Sequence, residues 1–140
     1  MLSQETMRRV LQEHVDAENA HDRERVLATY IPKGAVFEDV PAGVRHVGPK
    51  EIVGNYRHLW DGFPGLVRSI DRWTFGEDAC VIELTLTGTH DGEYRGIAPT
   101  GRTIELRIIA HFAFDASGRI RQETAYYDSL TFMGQIGRSR

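Results

Sequence analysis

The spacing of the apolar residues changes once along this chain, near residue 65, and the change limits the folds that the chain can adopt. Before this point, apolar residues recur every three or four positions, which is the spacing of amphipathic helices. After it, four runs are typical of β-strands and are separated by turn sequences. Helices followed by consecutive strands predict an α+β fold, in which a sheet packs over helices and encloses a pocket.

The first half contains signals for the starts of three helices. Ser3 is placed to cap a first helix and Asp22 a second, short one, because their side chains can accept hydrogen bonds from the first turn. Pro49 opens a third helix, where its missing N–H group has no cost. Two short strands are predicted before it, at residues 35–40 and 44–47.

The second half is predicted to be an antiparallel meander of four strands. These strands are residues 66–75, 79–90, 103–114 and 120–128. The connection between the second and third of them, residues 88–102, is longer than the roughly two to five residues of a hairpin loop. We expect it to be either a flap at the open end of the sheet or a loop that contacts a neighbouring subunit.

The last hairpin can be registered from its turn. Gly118 suits the left-handed position of a type I turn with a G1 bulge, which pairs Ile120 with Phe114. Counting from there pairs Thr124 with Ala110, Tyr126 with Ile108, and Asp128 with Leu106. This register turns Asp128 toward the apolar, helix-covered side and turns Glu123 outward. A slip of one residue would reverse these orientations.

Asp128 and His90 are the candidate catalytic residues. A carboxylate in an apolar concavity needs a partner or a raised pKa, and a raised pKa suits a general base near neutral pH. The alternative for Asp128 is a solvated carboxylate that caps the last helix. His90 shares the alternation of Ile82, Leu84 and Leu86, so it is predicted to face the core at the rim of the sheet.

Composition and motifs exclude several classes of protein. The length of 140 residues suits one domain spanning residues 1–140, and the net charge of −3 gives no broad basic surface for nucleic acid. No apolar run reaches the roughly 18 residues of a membrane span, and no signal peptide is expected. The single cysteine, Cys80, excludes an internal disulfide and fits a cytoplasmic protein. The histidines lack zinc-ligand spacing, and no phosphate-loop, GxSxG or GxGxxG motif is present, so we expect no metal.

Five stretches occur in an order that resembles a known family: VFED, GPKEIVGNYRHLWDGFPGL, GTHDGEYRGIAPTGR, FAFDASGRI and YYDSLTFMGQIG. The chain resembles the SnoaL-like polyketide cyclases of the nuclear transport factor 2-like superfamily over nearly its whole length. The resemblance implies a cone-shaped α+β barrel, in which a curved antiparallel sheet wraps around the N-terminal helices and a deep pocket. It also implies a homodimer packed through the sheet.

The resemblance also implies a mechanism. In the characterised cyclases an aspartate acts as acid and base in an aldol ring closure, without metal or cofactor. The YYD match places this role on Asp128, and the GTH match places a pocket histidine at His90. A tryptophan is common in the family where this chain has Thr124 and Leu84, which implies a wider pocket here.

These observations predict an enzyme that acts on an apolar, carbonyl-bearing small molecule. Asp128 would remove a proton next to the carbonyl group, and His90, aided by Tyr30 or Tyr126, would donate to the enolate oxygen. Aldol closure and isomerisation share this step. The residues predicted to bind the substrate are Tyr30, Phe37, Asp39, Tyr56, Leu59, Trp60, Phe63, Leu84, Leu106, Thr124, Tyr126 and Phe132.

Two other functions remain open at this point. Asp39 could activate a water molecule, as in an epoxide hydrolase or a dehydratase, since alternation lets only one of Glu38 and Asp39 face inward. The third possibility is a protein that binds an apolar ligand without catalysis.

Overall fold

The computed structural model describes residues 1–137, and within them it contains four helices and six strands. The helices are α1 Gln4–Asn19, α2 Arg23–Ala28, α3 Pro49–Gly62 and α4 Ser129–Gln135. The strands are β1 Val36–Asp39, β2 Val44–Val47, β3 Val67–Gly76, β4 Ala79–Thr89, β5 Thr103–Phe114 and β6 Ile120–Tyr127. The predicted α+β fold is confirmed. None of the helices in this part of the chain has the length and apolar character needed to cross a membrane.

The first two helices begin at the residues predicted to cap them. Ser3 Oγ accepts a hydrogen bond from the backbone N–H of Thr6 (3.0 Å), and an Asp22 carboxylate oxygen accepts one from the backbone N–H of Arg25 (3.2 Å). These side chains satisfy donors that have no partner inside a helix. Local sequence therefore determines where both helices start.

The six strands form one curved, open sheet in the order β2-β1-β6-β5-β4-β3. Strands β3 to β6 are antiparallel neighbours, as predicted. β1 instead runs parallel to β6, so the prediction of a wholly antiparallel sheet is wrong at this pair. The segment before β1 sets this direction, because Ile120 at the start of β6 already exchanges backbone hydrogen bonds with Thr29 and Ile31 (2.9 Å each).

A β-bulge interrupts the pairing of β5 with β6. Phe114 pairs with Ile120, as predicted. The next pair is Ala113 with Gln122, which leaves Arg121 as an extra residue. Beyond the bulge, the pairs are His111 with Thr124, Ala110 with Ala125, Ile109 with Tyr126, and Ile108 with Tyr127.

This extra residue reverses the predicted orientations along β6. Because side chains alternate between the two faces of a strand, a displacement of one residue exchanges the faces. The inward-facing side chains of β6 are Glu123, Ala125 and Tyr127. The predicted inward orientation of Thr124, Tyr126 and Asp128, and the outward orientation of Glu123, are therefore wrong.

The long connection between β4 and β5 is held at its base and against α3. At its base, His90 N–H donates to Arg102 O (2.8 Å), and Gly101 N–H donates to His90 O (2.9 Å). Farther along, Gly92 N–H donates to Gly62 O at the end of α3 (3.1 Å). These contacts bring the connection over one end of the concave face of the sheet.

Replacing Gly92 with alanine should destabilise the protein. A Cβ atom at this position would lie 1.9 Å from the backbone oxygen of Asp61, so the connection or the end of α3 would have to move. We expect a loss of about 1–3 kcal/mol in the free energy of unfolding, measured by urea denaturation. Gly54, inside α3, is the matched control, because no atom beyond its chain neighbours and the backbone of its own helix lies within 4 Å of an added Cβ there. Gly54→Ala should leave stability unchanged or raise it. Equal losses in the two variants would contradict the prediction.

Candidate active site

A cavity lies between the concave face of the sheet and the helices α1, α3 and α4. The space open to the centres of water-sized molecules is about 80 Å³, which is room for several waters or a small organic ligand. The apolar part of its wall consists of Phe37, Leu59, Ile82, Leu84, Leu86, Leu106, Ile108, Ala110, Phe112, Ala125 and Phe132. The polar part consists of Glu18, Asp39, Asn55, Tyr56, Arg68, Tyr94, Arg95, Glu123 and Tyr127.

The buried polar side chains of the wall meet around His14, which is fully buried. The Tyr56 hydroxyl donates to Glu18 Oε2 (2.6 Å), and the Tyr30 hydroxyl donates to Glu123 Oε1 (2.7 Å). His14 Nε2 lies between the same two oxygens, at 3.5 Å and 3.4 Å. We define the His14 cluster as His14, Glu18, Tyr30, Tyr56, Arg68 and Glu123.

His14 carries a proton on both ring nitrogens. The Thr29 hydroxyl donates its only proton to Val26 O (2.6 Å), so it must accept a hydrogen bond from His14 Nδ1 at 2.8 Å. Nε2 faces two carboxylates, which an N–H group satisfies. Burial alone would lower the pKa of His14, but Glu18 and Glu123 outweigh burial and raise the pKa to about 10. His14 is therefore an imidazolium at neutral pH.

Glu18 is the matching anion of the cluster. Burial alone would raise the pKa of its carboxyl group, but the charges of Arg68 and His14 outweigh burial and hold the pKa at about 2. Arg68 Nε lies 3.5 Å from Glu18 Oε1. Burial first, and the neighbouring carboxylates second, raise the pKa of Tyr30 and Tyr56, so both remain neutral hydrogen-bond donors.

A second polar group lies at the mouth of the cavity. The Tyr127 hydroxyl donates to Asp39 Oδ2 (3.0 Å), and Asp39 Oδ1 accepts from the backbone N–H of Ala42 (3.2 Å). Burial first, and Asp39 second, raise the pKa of Tyr127. Arg95 is exposed and donates from Nη2 to Asn55 Oδ1 (3.3 Å). The mouth thus presents one carboxylate and one guanidinium to an entering molecule.

The described residues contain neither a reactive thiol nor a group of side chains placed to bind a metal ion. Cys80 is a free, buried cysteine, and burial raises its pKa to about 11, so little thiolate is present at neutral pH. Residues 1–137 contain no group of three or more His, Cys, Asp or Glu side chains placed to hold a metal ion.

Comparison with known sequences identifies the family of the chain. The sequence model of the SnoaL-like polyketide cyclase family matches residues 6–136. The chain belongs to this family. The resemblance noted from its motifs is confirmed, and no curated protein sequence matches the chain.

Solved structures with the same fold carry different functional descriptions. AclR, a candidate hydroxylase from Streptomyces galilaeus, is 20% identical over 99% of this chain and 89% of its own, with a TM-score of 0.85. IdmH, a candidate polyketide cyclase from Streptomyces antibioticus, is 22% identical over 94% and 98%, with a TM-score of 0.80. A protein with a ketosteroid isomerase-like fold from Catenulispora acidiphila, in complex with trimethylamine, is 14% identical over 93% of each chain, with a TM-score of 0.79. At these identities the similarity establishes the fold alone.

The cavity of this SnoaL-like chain contains some of the residues predicted to bind substrate. Those that line it are Phe37, Asp39, Tyr56, Leu59, Leu84, Leu106 and Phe132. Tyr30, Trp60 and Phe63 pack behind the wall instead. Thr124 and Tyr126 lie on the outer side of β6, because the bulge at Arg121 turns them away.

Asp128 lies outside the cavity and caps α4. Its carboxylate accepts hydrogen bonds from the backbone N–H groups of Leu130 (3.0 Å) and Thr131 (3.4 Å) and from the Thr131 hydroxyl (2.8 Å). These bonds, the Thr131 hydroxyl first, lower the pKa of this exposed carboxyl group. The prediction of an inward carboxylate with a raised pKa is wrong, and the alternative of a solvated helix cap is confirmed.

His90 is buried on the core side of the sheet, as its alternation predicted, but it does not line the cavity. Its ring stacks on Phe63 (centroids 5.3 Å apart), which lies against Phe132 on the cavity wall (5.9 Å). Thr100 N–H donates to His90 Nδ1 (3.3 Å), at the base of the connection between β4 and β5. The structure does not bring His90 and Asp128 together.

Sequence reasoning missed the residues that give the cavity its chemistry. His14 and Glu18 lie four residues apart on the apolar face of α1, and this was an available signal. Arg68 lies two residues before Ile70 on β3, so alternation places both on the same face of the strand, and this was a second signal. Glu123 carried no such signal, because its orientation depends on the bulge.

Replacing Glu18 with glutamine should destabilise the protein strongly. The change leaves two buried cations, His14 and Arg68, with one carboxylate fewer. Removing one partner of a buried ion pair typically lowers the free energy of unfolding by about 3–5 kcal/mol, which urea denaturation measures. Glu13→Gln is the matched control, because Glu13 lies on the same helix in an exposed ion pair with Arg25 (2.7 Å) and should contribute little. Similar losses of unfolding free energy in both variants would contradict a stabilising role of Glu18 in the His14 cluster.

The pH dependence of stability gives a second readout of this prediction. Because the pKa of His14 is higher in the folded state, its contribution is complete below its ordinary value of 6.5 and is lost as the pH rises through about 10. Wild-type stability should therefore fall across this window. The fall should be smaller in Glu18→Gln, because the largest charge that raises the pKa of His14 is gone. A wild-type stability that stays constant across the window would contradict the charged state of His14.

Proposed function

We propose that this protein catalyses cofactor-free proton transfer on a small carbonyl compound, and that Glu123 is its general base. The observation that carries the proposal is that the Glu123 side chain is buried and yet lines the cavity. Its contacts with Tyr30 and His14 both involve Oε1. Oε2 is therefore the oxygen available to a ligand, and a carboxylate held in place beside the substrate suits general base catalysis.

The other two carboxylates of the cavity suit this role less well. Glu18 accepts a hydrogen bond from Tyr56 on one oxygen and faces Arg68 with the other, and its low pKa makes it a weak base. Asp39 lies at the mouth, and both of its oxygens accept hydrogen bonds. Glu123 combines burial with a free oxygen.

Proton transfer to Glu123 would leave the charge of the His14 cluster balanced. Glu123 Oε2 takes a proton from the carbon next to the carbonyl group, and the electrons of the C–H bond move to the carbonyl oxygen and form an enolate. Before the transfer, the carboxylates of Glu18 and Glu123 balance the cations of His14 and Arg68. Afterwards Glu123 is neutral and the enolate carries its charge. Moving a charge between fixed cations avoids creating a new one in a medium of low dielectric constant.

The step that follows the enolate determines the reaction. Return of the proton to a different carbon completes an isomerisation. Attack of the enolate carbon on a second carbonyl group of the same molecule closes a ring in an aldol reaction. Membership in the SnoaL-like polyketide cyclases favours the ring closure, and both reactions require the first proton transfer.

Water activation at the mouth is the second candidate function. Such chemistry needs a carboxylate with a polar partner, and the Tyr127 hydroxyl on Asp39 provides one. In this case Asp39, rather than Glu123, would be required for activity. With an epoxide as substrate, oxygen from labelled water would be incorporated into the diol product. Asp39→Asn and Glu123→Gln therefore separate the two reactions.

We further propose that the protein is a cytoplasmic homodimer that packs through the outer face of its sheet and takes an apolar ligand. Ile109 and Tyr126 are neighbours on this face, and each exposes nearly half of its surface. Burying them against a second copy would remove apolar surface from water. Sedimentation velocity tests the dimer, and a monomer at micromolar concentration would contradict it.

Glu123→Gln should abolish proton exchange. The test compounds are small cyclic ketones and β-keto esters in D₂O, and NMR measures deuterium uptake at the carbon next to the carbonyl group. General base catalysis contributes roughly 10²–10⁴-fold, so we expect a loss of this size. Asp128→Asn is the matched control, since Asp128 is an exposed helix cap, and it should keep the wild-type rate.

The two variants also distinguish the competing interpretations. Loss of exchange in Asp128→Asn alone would contradict the role of Glu123 as general base. It would restore Asp128 to the acid-base role that the YYD motif implied. Binding of the ketones by the wild type without any exchange would favour a carrier. Loss in Glu123→Gln alone would support the proposal when circular dichroism shows that this variant is folded, since Glu123→Gln also removes a carboxylate from the His14 cluster.

A further inference from the structure

Three buried side-chain atoms have no hydrogen-bond partner among the described residues: Trp60 Nε1, Arg68 Nη1 and His90 Nε2. Trp60 and His90 do not line the cavity, whereas Arg68 does. The Arg68 side chain is 8% exposed, so water outside the protein does not satisfy it. A buried donor without a partner is unfavourable. In Arg68 this donor belongs to a charged group beside the space that a ligand would occupy.

The fold holds Arg68 in this position from two sides. On β3, it pairs with Leu86 of β4 and shares the inward face with Ile70. Its backbone is fixed by Asn19 at the end of α1, which donates to Arg68 O (2.9 Å) and accepts from Arg68 N–H (2.7 Å). The guanidinium carbon lies 6.0 Å from the centre of the Tyr56 ring. Arg68 therefore reaches the cavity from a strand whose backbone is anchored to α1 at this residue.

The protein leaves part of the guanidinium unused. A guanidinium has five N–H donors in a planar fork that matches a charged oxygen acceptor. Glu18 faces the Nε side at 3.5 Å. The ionisable groups beside Arg68 are Glu18 from α1 and Tyr56 from α3. Neither of them forms a hydrogen bond with Nη1, which has no partner among the described residues.

We infer that Arg68 Nη1 binds the oxygen of an enolisable ligand and holds it as an oxyanion, so that this cavity selects ligands whose oxygen can become anionic, such as enols and phenols. For catalysis, the inference rests on the proposed function: proton loss to Glu123 places a negative charge on the substrate oxygen, and Arg68 Nη1 is a buried cationic donor that has no partner among the described residues. Hydrogen bonds from a guanidinium to an anionic oxygen are stronger than those to a neutral one. Arg68 would thus stabilise the enolate more than the ketone.

The test uses 4-nitrophenol, because its phenol and phenolate forms absorb at different wavelengths and it has an acidic oxygen on an apolar ring. Titration of the wild-type complex should show that the bound probe ionises at a pH at least about one unit lower than the free probe, a tenfold preference for the anion. A probe that binds as the phenol, or does not bind at millimolar concentration, overturns the inference. This measurement needs no variant, so a poorly folding mutant cannot obscure it.

Variants then locate the effect. Arg68→Met should remove the preference for the phenolate, and Arg68→Lys, which keeps the charge but loses the fork, should retain part of it. Arg72→Met is the matched control, since Arg72 follows the irregularity in β3 and faces outward, where it pairs with Glu83. It should behave as the wild type. An unchanged phenolate preference in Arg68→Met overturns the inference.

The same probe separates this inference from the proposed function. Glu123→Gln removes a negative charge from the cavity, so it should strengthen phenolate binding while it abolishes deuterium uptake. If the wild type exchanges no ketone but still binds the phenolate through Arg68, the inference stands and the proposed function fails. If exchange depends on Glu123 but the probe binds as the phenol, the proposed function stands and the role of Arg68 fails.

Discussion

The buried imidazolium of His14, placed between the carboxylates of Glu18 and Glu123, joins the first helix of the chain to its last strand. Tyr30 and Tyr56 add the segment after α2 and the middle of α3 to the same contact, each through a short hydrogen bond to one of the carboxylates. Charges at this depth are tolerated only when they are paired and hydrogen-bonded. Residues far apart in the sequence must therefore come together before any of them is stable. The cavity is the space that remains beside this group, so its chemistry and the packing of the fold have the same origin.

One unpaired residue, Arg121, determines which carboxylate near the end of the chain faces the cavity. Without the bulge at Arg121, alternation would turn Asp128 inward and Glu123 outward, and the site would resemble the one that the YYD motif suggests. With the bulge, Glu123 enters the cavity and Asp128 becomes the cap of α4. A bulge is a local property of the backbone, but it changes the chemistry of the concave face because every later side chain in the strand exchanges sides.

The elements of this fold could be predicted because their signals are local. Ser3 and Asp22 cap helices through hydrogen bonds to residues three positions away, and Pro49 fits a first helical turn. The parallel pairing of β1 with β6 has no such signal, since it follows from contacts of Ile120 with residues about ninety positions earlier. The same distinction holds in the site. Leu84 and Leu106 could be placed on the cavity wall by alternation within uninterrupted strands, whereas Glu123 required the position of a bulge.

The resemblance implied a wider pocket from Thr124 and Leu84, where a tryptophan was expected, and the register places these two residues on different faces of the sheet. Thr124 lies on the outer side of β6, opposite His111, so its size affects the outer face of the sheet and not the cavity. Leu84 does line the cavity, two residues from Leu86, the partner of Arg68 on β4. A leucine at this place leaves apolar space near the guanidinium. A ligand that places a ring against Leu84 could therefore bring an oxygen toward Arg68, and the family fold would select its ligand in this chain by pairing an apolar wall with a buried cation.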